Sequence, residues 1–219
     1  GQRFVQLLDG HPWFEVVKLS ASDKSVGQKY SDACHWLLPT PMPLWAREMI
    51  ILPASPVEMN LPVIFSALPA DVAREVEPQF ALQGASVFSN ASAYRYEDDV
   101  PILLPEVNPD HISIIDHQRN KRGWKGFIVT NSNCTSAGLS VTLQAIHSTY
   151  GINRVFVVSL QAISGAGYPG VSSMDILDNV IPYIAGEEDK VEAETKKILG
   201  RINYSKIIPA SFKVSAHCN

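Results

Sequence analysis

The sequence predicts an α/β protein, with an open and mostly parallel sheet in its first part and an α+β region in its second. Three observations carry this reading. Short apolar, β-branched runs at residues 63–66, 85–88, 102–104 and 126–129 are interleaved with polar and helical stretches. Several of these runs stop in small polar residues (Ser66; Ser89-Asn90; Asn131-Ser132), as strands do when an open sheet binds ligands at its carboxyl edge. After residue 131 the pattern changes to one long amphipathic stretch, a long strand at 154–160 and a glycine-rich loop.

Composition narrows the function. The 219 residues are 46% hydrophobic, ample for a core, and carry 18 basic against 22 acidic residues for a net charge of −4. The basic residues are sparse along the chain; segments 18–29 and 119–125 read as solvated faces rather than a nucleic-acid surface. No apolar run reaches membrane-spanning length and no signal-peptide pattern opens the chain, so a small-molecule partner is expected. Cys34, Cys134 and Cys218 form neither a disulfide framework nor a zinc spacing; reduced thiols point to the cytoplasm.

In chain order, residues 1–8 read as a helix stopped by Asp9-Gly10-His11-Pro12, and 14–19 as a strand. This is the second half of a βαβ unit. The strand ends in Ser20-Ala21-Ser22-Asp23-Lys24-Ser25, where dinucleotide folds read a ribose. Ser22, Lys24 and Ser25 offer donors to a 2′-phosphate, although the same residues equally suit an ordinary polar turn. Prolines 39, 41, 43, 53, 56 and 62 predict irregular connections around a short strand near 49–52. Strand 63–66 leads through Ala67-Leu68-Pro69 into a helix over 71–80, with Asp71 in its favourable first turn. Strands follow at 85–88 and 102–104.

The chain centres on Asn131-Ser132-Asn133-Cys134-Thr135-Ser136. The apolar run 126–129 enters it, and Leu139, Leu143, Ile146 and Tyr150 leave it at helical spacing, which reads as strand, turn, helix. Such a turn puts Cys134 near a helix N-terminus, where free N–H groups and the helix dipole stabilise a thiolate or an oxyanion. A free cysteine is also a common core residue, but a packing role would favour apolar neighbours. Beyond it, strand 154–160 precedes the loop 161–170, whose glycines permit either close approach to a ligand or simply a tortuous path. The stretch 175–184 is apolar, 186–190 is a charged loop or helix start, 192–199 is a helix, and 206–215 is extended. A domain boundary falls near Asn131, dividing residues 1–131 from 132–219.

Three separated motifs, Gly126-Phe-Ile-Val-Thr-Asn-Ser-Asn-Cys-Thr, Ser164-Gly-Ala-Gly-Tyr-Pro-Gly-Val-Ser-Ser and Gly186-Glu-Glu-Asp-Lys, stand in the order found in the aspartate-semialdehyde dehydrogenases. The chain resembles the fungal and archaeal branch of that family over nearly its whole length. The resemblance implies a Rossmann-type NADP-binding domain over 1–131 and a glyceraldehyde-3-phosphate-dehydrogenase-like catalytic and dimerisation domain over 132–219. It implies NADPH-dependent reductive dephosphorylation of L-aspartyl 4-phosphate to L-aspartate 4-semialdehyde in lysine, threonine and methionine biosynthesis, by a cytoplasmic homodimer or homotetramer.

Residue by residue, the resemblance makes Cys134 the nucleophile and Asn133 and Gln161 its catalytic neighbours, with Asn133 and the helix N-terminus stabilising the oxyanion. Arg95 and Lys190 would bind phosphate and Glu187 the substrate ammonium. The cofactor residues would be Gly1, Ser22, Ser25, Ser66, Ala67, Leu68, Asn90, Ser164 and Gly165; no metal is implied. Both ends are expected to be internal to a longer chain. Gly1 resembles the last glycine of a dinucleotide fingerprint, and Asn219 precedes the positions of the family's carboxylate-binding arginine and general-base histidine. None of the six histidines stands in the base motif, and His217 reads as structural or core. N-acetyl-glutamyl-phosphate reductase, which Glu187 would distinguish, and a non-catalytic interaction module are the competing readings.

Overall fold

In the computed structural model, which describes all of residues 1–219, the chain divides into two compact units. One comprises Gly1–Tyr94 with Gln118–Val129, the other Arg95–His117 with Thr130–Asn219. The chain therefore passes between them three times, and the segment 95–117 belongs with the second.

The first unit opens with α1 (Gln2–Leu7) and β1 (Leu19–Ser20), followed by the short helices α2 (Tyr30–Ala33) and α3 (Leu44–Glu48). After β2 (Ile51–Leu52) and α4 (Pro56–Met59), β3 (Val63–Ser66), α5 (Ala70–Gln83) and β4 (Ser86–Ser89) form a parallel crossover. The helix α6 (Ile115–Arg122) carries the chain back to this unit, where β5 (Phe127–Thr130) completes a sheet of order β3-β4-β5. β1 pairs in parallel with β2 in a separate two-stranded sheet.

Local chemistry accounts for this crossover. α5 ends at Gly84, whose φ of 113° lets its N–H reach back to Ala81 O. The strand ends are then tied together: Asn90 N donates to Ser66 O at 2.9 Å, and Ser89 Oγ donates to Glu77 Oε1 at 2.6 Å. Phe4, Phe65, Phe88 and Phe127 stack successively, with ring centroids 5.4 to 6.0 Å apart, across α1 and all three strands.

The second unit contains α7 (Cys134–Tyr150), β6 (Arg154–Ser159), α8 (Ser173–Ile176), α9 (Glu187–Ile198), the antiparallel hairpin β7 (Arg201–Asn203) and β8 (Lys206–Ile208), and β9 (Lys213–Cys218). β6 and β9 pair in parallel over their full length. Its core gathers Ile102, Leu104, Val107, Leu143, Ile198, Leu199 and Phe212. Buried Asn108 fastens segment 102–108 to α9: its Oδ1 accepts from Leu104 N, and its Nδ2 donates to Ile102 O and Ile198 O. Buried backbone polar groups are thus satisfied where no ladder serves them.

The fold class follows the sequence, but several elements differ from it. Only Leu19–Ser20 of the expected strand 14–19 pairs, because no strand lies beside residues 14–18, which line a cavity. Residues 102–104 make a single parallel bridge, Ile102 to Thr130. The charged stretch 119–125 is not simply a solvated face: Arg119 lies over Phe127, and Arg122 over Tyr94 and Trp124. His217 is exposed on β9, alternating with buried Ala216 and Cys218, so it is no core residue.

Candidate active site

In the first unit a cavity of about 750 Å³ opens beside β1 and β3. Gly1, Ser22, Ser66, Ala67 and Leu68, all expected to meet a cofactor, share its wall. Most of them lie just beyond the carboxyl ends of β1 and β3, where an open α/β sheet binds its ligand. Ser25 is held next to them through its N–H to Ser22 O, and Asn90 through its N–H to Ser66 O, both at 2.9 Å. Most of the remaining wall is apolar, including Val63, Phe65, Val76 and Phe80, with Glu15, Lys18 and Ser20 also on it. Volume and lining are those of a pocket that takes a large organic ligand at a polar rim. Buried Glu77 also faces this cavity, and burial pushes its carboxyl above the usual carboxylate range.

Ser164 and Gly165 belong to the second unit, where they lie exposed in the short 3-10 turn Ile163–Ala166.

The nucleophile turn forms as its sequence requires. Thr130 at the end of β5 is buried, its N and Oγ1 both donating to Pro101 O, and the chain then turns into α7. Asn133 is the N-cap: its Oδ1 accepts from Thr135 N at 2.9 Å and Ser136 N at 3.2 Å. Cys134 is therefore the first residue of a 17-residue helix, and it is exposed. Cys218 is buried, and Cys34 only partly accessible.

The other expected substrate residues converge on this turn through α9. Asn133 Nδ2 donates to Glu187 Oε1 at 2.7 Å, and Lys190 Nζ lies 3.8 Å from Glu187 Oε2. Glu194 Oε2 accepts from Asn133 N at 2.6 Å, while its Oε1 accepts from Arg95 Nη1 at 3.0 Å. One chain of polar contacts thus runs Lys190, Glu187, Asn133, Glu194, Arg95. Gln161 is placed differently, its N–H bonded to Asn219 O and its Nε2 donating to Ser159 Oγ. The Asn133 amide, expected to face an oxyanion, devotes its oxygen to capping and at least one of its N–H groups to Glu187.

Glu194 and Lys197 were not picked out by sequence reasoning. Lys197 is buried, with Nζ donating to the carbonyls of Arg95, Glu97 and Val100 at 2.6 to 2.7 Å. Burial pulls its ammonium down to about 8, against Asp98, Asp99, Glu97 and Glu194, which favour its charge. The signal was present in the spacing: Glu187, Lys190, Glu194 and Lys197 recur at three- and four-residue intervals on one face of α9. Charges at core spacing read as a solvated stripe until a neighbouring segment is known to cover them.

Two family models match. The semialdehyde dehydrogenase NAD binding domain covers residues 1–115, and the semialdehyde dehydrogenase dimerisation domain residues 143–219. The aspartate-semialdehyde dehydrogenase of Archaeoglobus fulgidus is 51% identical over all of this chain, which covers 64% of that relative; that of Methanothermobacter thermautotrophicus is 50% identical, with 63% covered. A crystal structure of the Candida albicans aspartate-semialdehyde dehydrogenase with NADP superposes with a TM-score of 0.90 at 44% identity, over 100% of this chain and 63% of that one. The chain spans somewhat less than two thirds of the length of these relatives. With one model matching more than half of its residues and a second most of the remainder, the chain belongs to the semialdehyde dehydrogenase family.

Proposed function

We propose that this chain supplies the nucleophile and substrate pocket of an NADP-dependent aspartate-semialdehyde dehydrogenase. The observation that carries the reading is the polar chain joining the Cys134 turn to Arg95, Glu187 and Lys190. An exposed thiol at a helix N-terminus stands there beside a guanidinium, an ammonium and a carboxylate. That set of charges complements a small substrate bearing phosphate and an amino group.

In the oxidative direction, Cys134 thiolate adds to the aldehyde carbon, and N–H groups of the first turn of α7 stabilise the oxyanion of the hemithioacetal. The residues of the first unit that would hold NADP are Gly1, Ser22, Ser25, Ser66, Ala67, Leu68 and Asn90. Bound there, it would supply the hydride acceptor. Arg95 and Lys190 hold phosphate for attack on the Cys134 thioester, releasing aspartyl 4-phosphate and regenerating the thiolate. Glu187 holds the substrate ammonium. We assign the general base to none of this chain's histidines.

The test is a substrate comparison in the protein carrying this sequence. NADP reduction with aspartate semialdehyde and phosphate is expected to exceed that with N-acetyl-glutamate semialdehyde by ~10²-fold or more in kcat/KM, since the buried Glu187 carboxylate offers a charge-assisted acceptor to a free ammonium and none of that charge pairing to an acetylated nitrogen. Preference for the acetylated substrate would overturn the assignment.

The same reading makes the protein a cytoplasmic homodimer, or a tetramer built from such dimers. On β6, Phe156 and Val158 project an apolar row that Leu160 continues, 77%, 68% and 80% exposed, and no strand other than β9 pairs with β6. Such a patch within the matched dimerisation domain suits a second copy of the same surface. Phe156→Glu with Val158→Glu is expected to shift the protein to monomer in size-exclusion chromatography with light scattering. An unchanged assembly would place the interface elsewhere.

A further inference from the structure

Arg95 is held twice by one face of α9. Its backbone carbonyl accepts from Lys197 Nζ, and its guanidinium donates to Glu194, one helical turn earlier. Glu194 is wholly buried, and its two oxygens serve different partners: Oε1 takes Arg95 Nη1 and Oε2 takes the backbone N–H of Asn133, the residue before Cys134. A carboxylate is suited to this, since each oxygen can accept independently and neither needs a proton. Neither atom that Glu194 holds is a reacting one.

We propose that Glu194 is a positioning residue for this reaction, fixing the Arg95 guanidinium and the Asn133-Cys134 turn in one frame so that phosphate and thioester meet. It rests on the reading of Cys134 as nucleophile and Arg95 as phosphate ligand. A guanidinium has five N–H donors, so the bond to Glu194 orients the group without exhausting it. Lys197 holds the backbone of the same segment by its three carbonyl bonds, while Glu194 bonds the guanidinium itself. Without the carboxylate, the arginine would turn toward other acceptors and the N-cap residue would lose the contact that fixes its backbone.

The experiment compares wild type with Glu194→Gln, which keeps shape and an acceptor but removes the charge, in the protein carrying this sequence. The concentration of folded sites is set by thiol titration. Readouts are KM for phosphate, kcat and the second-order rate of Cys134 alkylation by iodoacetamide. Expected are a rise in KM for phosphate of ~10-fold or more, a fall in kcat of ~10-fold or more, and an alkylation rate altered at least threefold. Glu192→Gln, on a different face of α9 and bonded to Ala216 N, is the control and is expected to leave all three within twofold. If Glu194→Gln does not fold, Glu194→Asp, whose carboxylate falls one methylene short, takes its place under the same criteria.

Reduced stability with all three readouts within twofold of wild type would make Glu194 merely structural and overturn the proposal. Failure of the underlying reading has a different signature. Wild type itself would then show no phosphate-dependent turnover, and its Cys134 would alkylate no faster than Cys34; the proposal falls with it.

Discussion

Replacing Cys134 by serine is expected to lower kcat by at least ~10³-fold while changing stability by no more than about 0.5 kcal/mol. Both halves follow from position. Cys134 is exposed and is the first residue of α7, so its sulfur fills no part of the core. Its backbone role is kept by serine, since Asn133 does the capping through Thr135 N and Ser136 N. What serine cannot supply is the nucleophile. A thiol is partly ionised at neutral pH and its thiolate forms a thioester, whereas a hydroxyl is not ionised and would give a more stable ester.

The other cysteines make the comparison specific. Cys218 is 1% exposed and packs with Val191 and Ala216. Cys218→Ser is therefore expected to lower stability by about 1–3 kcal/mol through the buried hydroxyl, with kcat per folded site near wild type. Steady-state kinetics with urea denaturation of both variants checks the pair. If the Cys134 variant retained turnover near wild type, the nucleophile would have to be sought elsewhere.

Much of this was legible because local chemistry decided it. Val63–Ser66 is a strand as read, since its apolar run is bounded by proline and small residues, and the helix after it is marked by Asp71 and stopped by Gly84. The Cys134 turn was legible for the same reason: an asparagine N-cap between an apolar strand and an amphipathic helix leaves few alternatives. Whatever depended on a distant segment was not legible. Residues 14–18 have a strand's composition, yet composition does not provide a neighbouring strand. α9 begins at Glu187, five residues before 192, so the stretch 186–190, which read as a charged loop or a helix start, is the helix start, its acidic residues suiting a first turn.

Glu194 and Lys197 show the limit most clearly. In sequence they are two more charges on a charged helix; burial comes from segments far away in the chain, 95–100 against both and the Asn133 turn against Glu194. Arg95 was found by a motif, but its partner belongs to none. The hairpin Arg201–Asn203 with Lys206–Ile208 was missed for a local reason. Its turn places Tyr204 at φ 53°, a conformation that tyrosine's side chain does not advertise.

Gly126→Ala is expected to destabilise the first unit by about 3 kcal/mol or more, and Gly138→Ala to stabilise the second by about 0.5–1 kcal/mol, although both add one methyl group. At Gly126 the added Cβ would sit 2.0 Å from Ala85 O and 2.7 Å from the carbonyl carbons of Ala85 and Gly84. These are backbone atoms, so no side-chain rotation relieves the overlap. Moving the strand instead would break the bonds that start β5, from Gly126 N to Ala81 O at 2.8 Å and from Phe127 N to Ala85 O at 3.2 Å. Gly126 has no positive φ, so the constraint is space rather than backbone conformation. Gly138 lies within α7, exposed, and nothing stands within 4 Å of its added Cβ. There alanine only lowers the entropy of the unfolded chain and favours helix. Urea denaturation of the two variants, followed by circular dichroism, should move the midpoint in opposite directions. A Gly126→Ala variant as stable as wild type would mean that β5 does not approach Ala85 as closely as this packing requires.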